Sequence, residues 1–239
     1  MAAASDRVYF RQLLSGRDFA SRDPLAAQMV NFVYAIGDRI TCEAMLVDPA
    51  YAVGDLLGVL AADEMRLTGV LVTHYHPDHI GGSMMGYTIE GVPALLEQTD
   101  CPVHVQAAEA PWVARTIDVP EHDLASHSPG DVVHVGEVEI ALLHTPGHTP
   151  GSQCLLVDGR IVTGDTLFLD GCGRTDLPGS DPALMYDSLQ GLAKLPEGTV
   201  VYPGHRYSVP SSATMASIVE QNYVYKPSSK PQWLSMFGR

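Results

Sequence analysis

Positive charge is scarce in this sequence: 14 Lys and Arg stand against 28 Asp and Glu, for a formal net charge of -14. A surface of that sign repels polyanions, which opposes nucleic-acid or anionic-membrane partners and favours a soluble, self-repelling molecule. Cysteine is sparse as well. Cys42, Cys101, Cys154 and Cys172 are far apart and form no Cys-x-x-Cys pair, which excludes a zinc knuckle or disulfide framework and fits reduced thiols in the cytoplasm. No window reaches the roughly 18 apolar residues of a membrane span, and Met1–Arg11 lacks the long apolar core behind a basic start that marks an export signal. No linker interrupts the chain, so residues 1–239 read as one domain, with a 46% hydrophobic fraction ample for a core.

Histidine is what the sequence concentrates. Thr73–His79 reads Thr-His-Tyr-His-Pro-Asp-His. Imidazoles and a carboxylate so close together are costly to bury, and pointless to expose, unless a divalent metal draws their lone pairs to one place. Val70-Leu71-Val72 before them predicts a buried strand, and Gly81-Gly82 after them a loop where backbone approaches a site. If the chain stays extended to His76, His74 and His76 point the same way and can grip one ion while Tyr75 faces elsewhere. Pro77 forces a turn, after which Asp78 and His79 can serve a second ion, as two-metal hydrolases require. The bland alternative, a histidine-rich surface loop, does not account for this spacing.

Around this cluster the chain alternates strands and helices. Val8–Leu14 reads as an edge strand, Asn31–Ile36 and Ile40–Val47 as a hairpin turning at Gly37-Asp38, and Tyr51–Arg66 carries apolar residues at helical spacing before the strand Leu67–Thr73. Val92–Leu96 predicts a helix, Pro102–Gln106 a strand and Ala107–Arg115 another helix, while Met84–Gln98 reads as a substrate-pocket wall or an ordinary covering helix. His122 and His127, in the polar stretch from Ile117 to Gly130, read as surface residues. Four strands follow, Asp131–Val135, Val138–His144, Gln153–Val157 and Arg160–Thr163, with His134 and His144 inside them as structural residues. Asp181–Lys194 predicts a helix capped by Asp181, Thr199–Tyr202 a strand and Ser211–Gln221 a last helix. The tail, residues 222–239, sets Tyr223, Tyr225, Trp233 and Phe237 among prolines, a composition suited to docking on the body or a partner.

The Thr73–His79 stretch resembles the His-x-His-x-Asp-His signature of the metallo-β-lactamase superfamily. In that family a third histidine, a bridging aspartate and a last histidine follow in order. Here His148 in Thr-Pro-Gly-His-Thr-Pro-Gly-Ser, Asp165 in Thr-Gly-Asp-Thr-Leu-Phe and His205 in Tyr-Pro-Gly-His-Arg-Tyr match them, and the resemblance runs from Asn31 to Tyr207. It implies an α/β fold, the αββα sandwich of two mixed β-sheets flanked by helices. It also implies two divalent metal ions, zinc first, with iron or manganese as alternatives. One ion would rest on His74, His76 and His148 and the other on Asp78, His79 and His205, with Asp165 bridging and Asp78 and Asp165 counted as catalytic. Such a pair lowers the pKa of a bridging water, supplies hydroxide and polarises the carbonyl it attacks, so no serine or cysteine nucleophile is needed.

Gly171-Cys172-Gly173-Arg174-Thr175-Asp176 is similar to the loop shared by glyoxalase II-like thioesterases and persulfide dioxygenases. Its glycines let backbone approach a ligand, Arg174 offers a fork to a carboxylate, and Cys172 reads as a small apolar neighbour. Arg174 and Tyr207 are assigned to binding a small anionic substrate. Phe10-Arg11-Gln12-Leu13 looks like the dioxygenase branch, whereas Pro-Gly-His-Arg-Tyr around His205 and the complete second ligand set look like the hydrolases. The expectation is a two-metal hydrolase of a thioester or related ester. The alternatives are a mononuclear iron persulfide dioxygenase using His74, His148 and Asp165, and a non-catalytic metal-binding module. Glyoxalase II proteins hold glutathione in a helical domain after the last histidine, and the residues following His205 are too few for it. A homo-oligomer is compatible with each alternative.

Overall fold

The computed structural model describes residues 7–238, so the reading of the N-terminus falls partly on residues 1–6, outside the described part. Strand β1 (Val8–Leu14) leads to a short helix α1 (Pro24–Met29), whose first N–H groups are capped by the Asp23 carboxylate. β2 (Phe32–Asp38) and β3 (Glu43–Val47) form the expected hairpin, but its turn lies at residues 39–42 and not at Gly37-Asp38. Asp38 is the reason: its buried carboxylate accepts from Ile40 N and Glu137 N and pairs with Arg7, which keeps it in the strand.

Helix α2 (Val53–Ala62) returns the chain to β4 (Arg66–Leu71), parallel to β3. After the one-turn helix α3 (Pro77–Ile80), Met84–Gln98 is a covering helix only in its second half: a small hairpin, β5 (Gly82–Met84) and β6 (Tyr87–Ile89), precedes helix α4 (Val92–Leu96). β7 (Val103–Gln106), α5 (Ala110–Ile117) and β8 (Leu124–His127) follow. His122 is exposed, but His127 is not the surface residue expected: it lies half-buried on β8, its Nε2 2.9 Å from His104 Nδ1. The two rings help line a cavity of about 490 Å³ at the sheet edge, to which no residue of Thr73–His79 contributes.

β9 (Val132–Val135), β10 (Val138–His144), β11 (Gln153–Val157) and β12 (Arg160–Gly164) are the four strands expected, and α6 (Pro182–Leu192) is capped by Asp181. β13 (Val200–Pro203), β14 (Ala213–Thr214), α7 (Met215–Gln221) and α8 (Lys230–Phe237) complete the described chain. The first sheet has the order β1-β2-β3-β4-β7-β8, antiparallel as far as β3 and parallel beyond it; the second has the order β14-β13-β12-β11-β10-β9, with β12 and β13 parallel.

Apolar inner faces meet between the sheets, through Tyr34, Ile36 and Leu71 on one side and Ile140, Leu142 and Leu155 on the other. Helices α2, α4 and α5 cover the first sheet through Leu56, Leu95 and Val113, and α6, α7 and α8 cover the second through Leu189, Ile218 and Trp233. This is the αββα sandwich of two mixed sheets. Trp233 donates its ring N–H to Val224 O at 3.0 Å and sets its ring against Tyr186 of α6, so the aromatic tail lies on the second sheet's helices. None of the described helices is long and apolar enough to cross a membrane. β4 of the first sheet and β10, β12 and β13 of the second end on one rim, where the histidine-bearing segments begin.

Candidate metal centre

β4 ends at Leu71 and the chain bends at Thr73, so the run to His76 is not the unbroken extended stretch expected; His76 itself is extended (φ -64°, ψ 140°), and Pro77 starts α3 and puts Asp78 and His79 on a new direction. The ligand atoms of His74, His76 and His148 lie within 4.8 Å of one another, as do those of Asp78, His79 and His205. Asp165 stands between the two groups. Its Oδ2 is 3.7 Å from His148 Nε2 and 3.4 Å from His205 Nε2, and its Oδ1 is 3.4 Å from His79 Nε2.

The rings are anchored by their outward nitrogens. His148 Nδ1 donates to Arg174 O at 2.8 Å, His205 Nδ1 to Met29 O at 2.8 Å and His79 Nδ1 to Asp48 Oδ2 at 3.0 Å. The Thr73 hydroxyl donates to Asp48, so at 3.0 Å it accepts from His74 Nδ1. Each bond fixes a tautomer whose Nε2 lone pair faces inward.

Inside the centre these lone pairs face one another. His148 Nε2 is 3.0 Å from His76 Nδ1, His79 Nε2 is 3.2 Å from His205 Nε2, and His74 Nε2 and Asp165 Oδ1 are buried with no hydrogen-bond partner. Burial, then the neighbouring imidazoles, holds His74 well below the usual histidine range, and burial followed by His148 brings His76 down to about 4, so this side presents neutral donors. Burial penalises charge on His79 and His205 too, but Asp165 and Asp78 outweigh it and raise both. A cation at this position would meet the same two carboxylates. Buried imidazole nitrogens and carboxylate oxygens with unmet lone pairs are the donor set of zinc and other first-row divalent ions, so the residues present fit such ions.

A family model described as the metallo-beta-lactamase superfamily matches residues 31–205. The chain belongs to that superfamily. Among superfamily relatives, the hydroxyacylglutathione hydrolases of Aeromonas salmonicida and Methylobacillus flagellatus are 35% and 34% identical over 190 and 216 residues. The matches take in 80% and 90% of this chain but 66% and 74% of those proteins. The crystal structure of ETHE1 from Myxococcus xanthus superposes with a TM-score of 0.78 at 31% identity, covering 97% of this chain and 90% of that one.

Several residues of this superfamily site were not singled out from the sequence. Asp48, at the end of β3, accepts from Thr73 N at 2.7 Å and orients His79. Asn31 Nδ2 donates to Asp78 Oδ2 at 3.1 Å, and Tyr51 in turn donates to Asn31 Oδ1. Glu109, beyond β7, bonds the segments carrying His74, His76 and His148; burial raises its carboxyl to about 7. β3, β4 and β7 are parallel neighbours, so their C-terminal ends open on the same rim; an acid there is the signal that could have found Asp48 and Glu109.

The Gly171–Asp176 hexapeptide meets the centre through its backbone. A Cβ on Gly173 would lie 2.0 Å from Asp165 O and 2.9 Å from the His148 ring, so only glycine fits there. The Arg174 side chain turns outward, where Nε and Nη2 hold Asp176 at 2.9 and 2.8 Å. Tyr207 is stacked on His205 at 4.8 Å, with 57% of its surface exposed.

Proposed function

We propose that this superfamily member is a metal-dependent hydrolase of a thioester or related ester, built for two divalent cations, zinc first and iron or manganese as alternatives. The observation that carries the reading is Asp165, one carboxylate set between two complete ligand groups. His74, His76 and His148 would hold one ion and Asp78, His79 and His205 the other, with Asp165 within reach of both groups. When bound, such ions lower the pKa of a coordinated water and polarise a scissile carbonyl. The protein holds the rings in register through Asp48, Thr73, Met29 O and Arg174 O. Burial pushes the Cys172 thiol up to about 12, so it stays protonated and is no nucleophile.

Tyr207 provides the rim's hydroxyl donor: burial first, then Asp165 and Asp78, pushes its phenol above the usual range, so it keeps its proton at neutral pH. Arg174 receives the anionic end of a small substrate by exchanging Asp176 for it. The name of the two bacterial relatives supports an acylglutathione as substrate class, and four unpaired cysteines fit a reducing cytoplasm. The likeness to ETHE1 favours a second reading, an iron persulfide dioxygenase on His74, His148 and Asp165.

The deciding assay offers the purified protein a hydroxyacylglutathione thioester and, separately, glutathione persulfide with an oxygen electrode. Thioester turnover without oxygen uptake is expected; oxygen uptake without thioester turnover overturns the hydrolase reading. In the same assay Arg174→Ala should raise KM far more than it lowers kcat.

A further inference from the structure

We infer that Glu109 is a positioning residue that sets the spacing between the His74–His76 side and the His148 side of the metal centre. The inference rests on the metal-binding reading above and adds a residue to it. Glu109 sits just beyond β7, 1% exposed, and is not within reach of any ion as a ligand in either group. Its Oε1 accepts from Tyr75 N, between His74 and His76, at 2.8 Å. Its Oε2 accepts from Gly151 N at 2.6 Å, three residues past His148. Among the described residues no other side chain outside the two segments bonds to both of them.

The two segments are tied at two levels. At the base, Gln153 N donates to Thr73 O at 3.0 Å and Gln153 Nε2 to Val72 O at 2.6 Å, bonds that continue the strands. Glu109 makes the outer tie, through Tyr75 N and Gly151 N. The fit is close: a Cβ on Gly151 would lie 2.3 Å from Glu109 N, so the segment behind His148 rests on Glu109's own backbone. Both bonds come from backbone N–H groups, which only an acceptor satisfies, and a carboxylate accepts on both oxygens at once. A glutamine keeps the shape and one acceptor but turns an NH2 against the second N–H. Losing the outer tie leaves the base intact, so the chain still folds while His148 is free to drift from His74 and His76. The Asp78, His79 and His205 group is anchored separately by Asp48, Asn31 and Met29 O.

The test titrates Co²⁺, followed by its visible absorption, into metal-free wild type, Glu109→Gln and Glu109→Ala, with each also made in a His205→Ala background that leaves the first group intact; circular dichroism checks folding. Wild type is expected to show two binding steps. Glu109→Gln should weaken one step and the single step of the His205→Ala background by about 10- to 100-fold, the usual effect of losing a residue that orients ligands, and leave the other step unchanged. Glu109→Ala should do the same or more. Two unchanged steps, or both weakened alike in a folded variant, would overturn the assignment of Glu109. A wild type that takes up no Co²⁺ would instead overturn the metal reading and the inference with it.

Discussion

The lone pairs at the centre are pointed by what each ring does on its other side. His148, His205, His79 and His74 spend Nδ1 on Arg174 O, Met29 O, Asp48 and Thr73, leaving Nε2 for a shared ligand. Removing a ligand therefore opens a coordination position and strips a charge or donor from a buried cluster. His148→Ala and Asp165→Ala are expected to lose bound metal and activity together, with Asp165→Ala affecting both ions because it touches both groups. His122→Ala, 84% exposed and away from the rim, should keep full metal content. Metal analysis of the three purified variants checks this, and full activity in either ligand variant would sink the assignment.

At the scale of elements, the strands that deliver the ligands were readable because their apolar runs stop where the histidines begin. β4, β9 to β12 and the Asp181-capped helix follow from local pattern alone. Helices α1 and α8 were missed despite local signals, an Asp23 or Ser229 cap followed by proline, whereas two other misses are tertiary in origin. β8 is a short polar edge strand that exists because β7 offers it a parallel partner, and the hairpin turn left Gly37-Asp38 because Asp38 found Arg7 and Glu137 N across the fold. Asp48, Asn31 and Glu109 carry no motif; they count only once parallel strands bring their ends side by side. Arg174 was legible as a cation near the site, but not its pairing with Asp176.

The β7–β8 edge carries its own prediction. Burial, then the facing His127, lowers His104 to about 4 from an ordinary 6.5, and its Nε2 has no partner that could receive a second N–H. The unfolded chain therefore binds a proton that the folded chain refuses between those values, and stability falls as pH drops from 6.5 towards 4. His127, whose ring faces His104, lies 3.7 Å from the Asp131 carboxylate. Urea melts across this range should show His104→Leu losing roughly 1–2 kcal/mol less than wild type on acidification, below the full shift because the ring is partly exposed. Parallel pH profiles for the two proteins would contradict that account.

For the whole molecule, the αββα sandwich gathers segments from the ends of β4, β10, β12 and β13 onto one rim, and two ligand groups with one carboxylate between them result from that convergence. The helical layers, including α8 and its buried Trp233, close the outer faces, and at the rim His74 Nε2 and Asp165 Oδ1 remain buried and unmet. The most direct test of the two-ion centre is elemental analysis of the protein purified without added metal, read beside thioester turnover by the same sample. Two equivalents of divalent metal per chain, with hydrolysis that a chelator removes, is the expected result; a single iron per chain, with oxygen consumed in place of thioester, would contradict it.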